Sequence, residues 1–129
     1  MALDVTAVRK GIAASAANAA GLQSVKHYAP DGEHGSPAFW VEVDSIESNV
    51  LGNRTRWSLI LRGRLYVSGV WDRSAQETTD ELVDLIWVAI EADQTVAGEA
   101  QAVAVQRVDY LLPDETSAVG ATFTIEVEV

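Results

Sequence analysis

The chain has no cysteine. That absence excludes a disulfide scaffold, a thiol nucleophile, an iron–sulfur cluster and any cysteine-based zinc site. Proline is scarce, with three residues, and the nine glycines are dispersed. None of them builds a G-x-x-x-x-G-K-[ST] or G-x-G-x-x-G phosphate cradle. No serine stands in a G-x-S-x-G elbow. No apolar run approaches the ~18 residues that a membrane-spanning helix requires. Met1 to Lys10 has an acid at Asp4 and lacks a cationic start and an apolar middle, so no secretory signal is expected. Basic residues are few: 9 Lys and Arg stand against 19 Asp and Glu, a net charge of −10. A binder that neutralises nucleic-acid phosphates is not expected from that balance.

What is present is enough for one folded unit. The 129 residues are 48% hydrophobic and 22% charged, a globular composition and the length of a single domain, 1–129. The charge is unevenly spread. Residues 1–64 hold 7 basic and 6 acidic side chains, whereas residues 65–129 hold 2 basic and 13 acidic ones, a balance of −11. Arg54, Arg56, Arg62 and Arg64 form a basic block with no acid between Glu47 and Asp72.

Hydrophobic periodicity orders the chain as helix, three strands, helix, two strands. Asp4 caps a helix over Asp4 to Ala20, whose Val5, Val8, Ile12, Ala16 and Ala19 repeat at helical spacing before Gly21. Its alanine-rich stripe suits close packing on a sheet. A short strand is expected within Leu22 to Ala29, then a loop to Pro37. Ala38 to Ile46 alternates, Phe39, Val41 and Val43 against Trp40, Glu42 and Asp44, and Ser48 to Asn53 reads as a second loop. Arg56 to Ser68 is the clearest strand, with Trp57, Leu59, Leu61, Leu65 and Val67 on one face. It exceeds the usual ~5–6 residues, which implies a projecting hairpin arm or a bend at Gly63. Ser74 and Glu77 form a capping box for a helix to about Ala92, with Leu82, Leu85, Ile86, Ala89 and Ile90 as its stripe. Ala102 to Leu112 is a strand whose alternation shifts near Gln106 and Arg107, a bulge. Leu112 to Gly120 is a turn, and Ala121 to Val129 alternates strictly, with Phe123, Ile125 and Val127 inside and Thr122, Thr124, Glu126 and Glu128 outside. The fold expected is α+β, a small antiparallel or mixed sheet covered on one face by two helices in the order α-β-β-β-α-β-β, with an arm around 56–68.

Catalytic constellations are not apparent. His27 and His34 with Asp31 and Glu33 match no zinc spacing. Asp80, Glu81 and Asp84 read as an acidic helix face, solvated or at an interface, rather than a general acid/base pair. Four tryptophans are many: Trp57 and Trp87 fit the core, while Trp40 and the loop residue Trp71 are candidate contact anchors. No enzyme, metal or cofactor is expected.

Four segments carry a family likeness: Ser36-Pro37-Ala38-Phe39-Trp40-Val41, Leu61 to Asp72 ending Tyr66-Val67-Ser68-Gly69-Val70-Trp71-Asp72, the acid-rich helix Ser74 to Ala92, and Ala92-Asp93-Gln94-Thr95-Val96-Ala97-Gly98 leading into Ala102 to Tyr110. In order and spacing, with the N-terminal helix, the chain resembles the tail terminator (tail completion) proteins of long-tailed bacteriophages. The resemblance implies a second glycine beside Gly98, where this chain has Ala97. It also implies a structural virion protein of the tail and neck, assembled in the host cytoplasm as a hexameric ring. Such a ring caps the tail tube, docks the head through a neck or connector protein and passes genomic DNA without binding it specifically. Expected partners are therefore further copies of the chain, the tail tube protein and the connector, and no membrane. On this reading Arg54, Arg56, Arg62, Arg64 and Trp71 are candidate interface residues, and Asp80, Glu81 and Asp84 candidates for an acidic lumen or interface. A head–tail joining or tail-tube subunit is the neighbouring alternative; a small ligand-binding or catalytic α+β domain would need a pocket with converging polar groups.

Overall fold

A computed structural model describes residues 3–31, 35–68, 72–111 and 119–129. Helix α1 runs Val5–Ala16, and the carboxylate of Asp4 accepts the Ala7 N–H at 3.0 Å as its N-cap. The helix is shorter than its alanine run suggests. It closes at Ala17, and residues 17–21 turn the chain, with Gly21 at φ +101°. Val8, Ile12, Ala13, Ala16 and Ala19 are buried, so the thin stripe does lie against the core.

Strands β1 (Ser24–Lys26), β2 (Ala38–Leu51), β3 (Arg54–Ser68), β4 (Ala102–Tyr110) and β5 (Val119–Glu128) form one sheet in the order β1-β2-β3-β5-β4. Only β1 and β2 run parallel; the other pairs are antiparallel. With helix α2 (Arg73–Ala92) the architecture is α+β in the expected element order. The bulge foreseen near Gln106 is present as a register shift between Val105 and Arg107.

Helix α2 begins earlier than its capping-box pattern indicates. Asp72 is the N-cap, its carboxylate accepting the Ala75 N–H at 2.7 Å, and Glu77 pairs instead with Arg73 at 2.9 Å. Its buried ridge is Ala75, Thr79, Leu82, Ile86 and Ile90. Thr79 tolerates burial because its hydroxyl donates to the Ala75 carbonyl at 2.8 Å. Leu85, expected in the stripe, is 43% exposed. The ridge meets Leu59, Leu61, Leu65, Phe123, Ile125 and Val127 of the sheet in one hydrophobic cluster. Full burial of each large side chain contributes about 1.5–3 kcal/mol.

Gly63 does not bend β3: the register with β2 and β5 is unbroken there. Its role is space. A Cβ at that position would lie 2.6 Å from Cζ of Phe39 on the neighbouring strand. The stretch Ser48 to Asn53 also differs from the expected loop. β2 continues to Leu51 and pairs with β3 down to Arg54, turning through Gly52 at φ +63° and Asn53. Glycine at the first central position suits a two-residue hairpin turn.

Candidate functional site

Both long strands outrun the sheet. β5 follows β3 only to Ser58, after which the Val129 N–H donates to the Trp57 carbonyl at 2.9 Å. β1 follows β2 only along Ala38 to Trp40. Residues 49–56 therefore project as a two-stranded tip with no neighbouring strand among the described residues. At ~3.4 Å per residue the tip extends roughly 12 Å beyond the sheet. Arg54 and Arg56 stand on one face of it, exposed and without an ion-pair partner among the described residues. Val50 falls on the other face and is 67% exposed; Ile46, on the same face of β2 but opposite Leu59 and before the tip begins, is 42% exposed.

Arg62 and Arg64 are differently placed, although they share the strand. They lie across the helix-free face of the sheet and tie three strands together. Arg64 donates to Thr122 Oγ1 at 2.9 Å, with Nε 3.4 Å from Glu42, which also accepts from the Trp40 indole at 3.0 Å. Arg62 donates to Thr124 Oγ1 at 2.9 Å and faces Asp44 at 3.6 Å. Thr122 and Thr124, read from their alternation as outward-facing, are consequently buried under the guanidinium groups. The ion pairs are half exposed and each is worth ~0–1 kcal/mol. The value of the arrangement is coverage, since long arginine stems shield a central strand that would otherwise face solvent. A charge reversal here would disturb the sheet itself, so assembly lost through it would not report on an interface.

Farther along this face, Arg107 and Asp109 on β4 pair at 2.6 Å, and the hydrogen bond from Arg107 holds the Asp109 carboxyl below the usual carboxylate range. In the connection after α2, hydrogen bonds from the Thr95 hydroxyl and the Ala97 N–H hold Asp93 low in the same way. That carboxylate organises a turn in which Val96 and Ala97 take φ of +49° and +57° and Val96 is buried. The backbone at Ala97 is thus in the region a glycine would favour, as the expected second glycine requires.

The three candidate acids of α2, Asp80, Glu81 and Asp84, are all exposed, but they are not equivalent. Asp80 accepts a hydrogen bond from the Tyr110 hydroxyl at 2.7 Å, fastening the end of β4 to the helix. Burial, and then the Asp80 carboxylate, push this phenol up to about 12. A raised value means the fold favours the neutral form. The tether contributes fully below the ordinary tyrosine value of ~10 and is lost as pH rises through about 12. In a near-ultraviolet titration the Tyr110→Phe variant is expected to lack the latest-ionising phenol. Removal of a component near the ordinary value would contradict the tether.

Trp71 lies outside the described residues, as do His34, Glu33 and residues 112–118 of the turn expected over Leu112 to Gly120, whose Val119 and Gly120 instead open β5. Trp57 and Trp87 are half-buried against the core, as read from the strand and helix patterns. A groove of about 600 Å³ at the base of the arm lies between Arg54, Arg56 and Trp57 of β3 and Gln101 and Val129. No imidazole lines it, and its neighbouring recess adds one carboxylate, Glu128. Among the described residues no three His, Asp or Glu side chains converge on a possible metal position, and no helix is long and apolar enough to cross a membrane. The arm expected around 56–68 lies instead at 49–56, because β5 supports β3 from Ser58 onward; the polar composition of Ser48 to Asn53 read as a loop, although Gly52-Asn53 between Val50-Leu51 and Arg54-Thr55 is a pairing signal. No protein-family model matches the chain, and no curated protein matches it in sequence.

Proposed function

We propose that the chain is a structural virion protein that forms a closed, hexameric ring at the head end of a phage tail tube. The ring ends tube growth and offers the surface on which the connector docks. The observation that carries this reading is the arm: a cationic tip extended from a chain that is otherwise strongly acidic. The tip holds Arg54 and Arg56 and no acid, so the remainder of the chain carries −12 of the net −10. Surfaces of opposite sign at different places on one subunit favour head-to-tail contacts, and such contacts close into rings when the rotation permits. An acidic bore suits the passage of DNA, because like charge keeps a duplex from adhering while it slides.

Native mass spectrometry of the purified chain and electron microscopy of tails test this. The expected result is a six-membered closed species, present once per particle between tube and head. Many stacked rings per particle would assign the chain to the tube instead. A monomer at every concentration, absent from tails, would overturn the ring.

A further inference from the structure

The sheet has two edge strands, β4 and β2, and their backbone groups are treated differently. At β4 the outward N–H groups are capped by side chains from the end of α2 and the turn after it. Val103 donates to Gln94 Oε1 at 3.2 Å and Val105 to Glu91 Oε2 at 2.9 Å. At β2, by contrast, β1 pairs only along Ala38 to Trp40, and every residue from Asp44 to Val50 is exposed. The direction of the bare groups follows from the pairing. Trp57 exchanges hydrogen bonds with Val129 on one side of β3, so the N–H and C=O of Arg56 turn to the other side, to Asn49. Alternation then turns those of Ile46, Ser48 and Val50 away from β3, where nothing pairs with them among the described residues. Such a row is a template for a further strand.

We infer that this edge pairs with the same edge of a second copy, antiparallel, about a two-fold axis at Ser48. In that register Ile46, Ser48 and Val50 of one copy exchange backbone hydrogen bonds with Val50, Ser48 and Ile46 of the other. The occupant is a second copy because the edge is complementary to itself. On the face shared with Trp57, Ile46 of each copy lies beside Val50 of the other, and these exposed side chains become one apolar stripe. On the opposite face Glu47 lies beside Asn49, with the partner's Arg56 on the next strand. The Cα atoms of Glu47 and the partner's Arg56 are then roughly 10 Å apart, a span that the two side chains cover together. Arg56 has no ion pair within its own chain among the described residues. Neighbouring registers are worse: one residue toward Ile46 sets Glu47 against Glu47, and one toward Val50 sets Ile46 against Gly52. The space also fits. The partner's turn at Gly52 and Asn53 reaches the bulge between Val43 and Ser45 and stops short of β1, which ends beside Trp40. The contact is isologous and ends at two copies, whereas the ring contacts are heterologous, so this inference does not rest on the ring reading.

The absence of cysteine makes the register testable. Ser48→Cys sets two thiols opposite each other with Cα atoms about 5.5 Å apart, inside the range a disulfide spans. Under mild oxidation it is expected to form a covalent dimer at least about tenfold faster than Ser45→Cys, whose thiols the register holds roughly 20 Å apart. Ile46→Cys and Val50→Cys are expected to link to each other when mixed and not to themselves. In sedimentation velocity the wild type is expected to pair as its concentration rises. Ser48→Pro should weaken that pairing by about tenfold or more and keep the circular dichroism spectrum, since the N–H it removes faces away from β3.

Equal linking rates at Ser48 and Ser45 overturn the pairing, as does a Ser48→Pro chain that associates like the wild type. Rings that form without a preferred Ser48 link overturn the pairing and leave the ring. Pairs that never grow into a closed ring keep the pairing and remove the ring. A wild type that stays monomeric at every concentration overturns both. A Ser48→Pro chain that fails to fold is replaced by Val50→Lys, which sets a lysine beside Ile46 of the other copy and is read in the same way.

Discussion

Replacing Phe123 with alanine is expected to lower the free energy of unfolding by about 3–5 kcal/mol, the range for deleting a fully buried aromatic ring. Phe123 is completely buried at the middle of β5, the strand flanked by β3 and β4. Its ring meets that of Phe39 edge to face, with centroids 5.9 Å apart and planes at 75°. Such pairs contribute ~0.5–1.5 kcal/mol beyond the area they bury. Few neighbours can move into the void, because β5 is held on both edges by backbone ladders and closed on its other face by Arg62 and Arg64. Urea unfolding monitored by circular dichroism measures the loss. A change below about 1 kcal/mol would mean that the sheet and helices do not enclose this ring.

The second large effect is at Gly63. Gly63→Ala is expected to destabilise by roughly 1–3 kcal/mol through overpacking. The new methyl group would lie 2.6 Å from Cζ and 2.8 Å from Cε2 of Phe39, and that buried ring sits against Phe123. The cause is specific, so it is separable. In a Phe39→Leu background the same substitution should cost less by at least ~1 kcal/mol, a positive coupling in a double-mutant cycle. Equal costs in the two backgrounds would place the origin in β3 backbone geometry instead of the contact between rings.

The contrast between these two residues explains what was legible. Phe123 was readable from β5 alone, since strict alternation in a strand assigns faces with no knowledge of the partner. The bulge at Gln106 was readable for the same reason, as a break in the alternation. Gly63 suggested flexibility in sequence, but its requirement is the ring of Phe39, 24 positions away and adjacent only through the register of β2 and β3. The candidate site divides in the same manner. All four arginines appear as one basic block along the chain. Only the end of β5 at Ser58 separates them into a pair hydrogen-bonded over threonines and facing carboxylates and a pair projecting into solvent.

The sequence by itself determined which elements form, their order and the apolar face that each strand turns to the core. Periodicity reports how each segment partitions between core and water, and that is a local property. It also determined the acidic balance and the basic block, which follow from composition. Tertiary structure alone decided where the strands stop supporting one another, and so that residues 49–56 form an arm. It decided as well that Arg62 and Arg64 hold the sheet while Arg54 and Arg56 have no ion pair among the described residues. Those outcomes depend on which strand lies beside which and for how many residues, and pairing between distant segments leaves no periodic trace in either one.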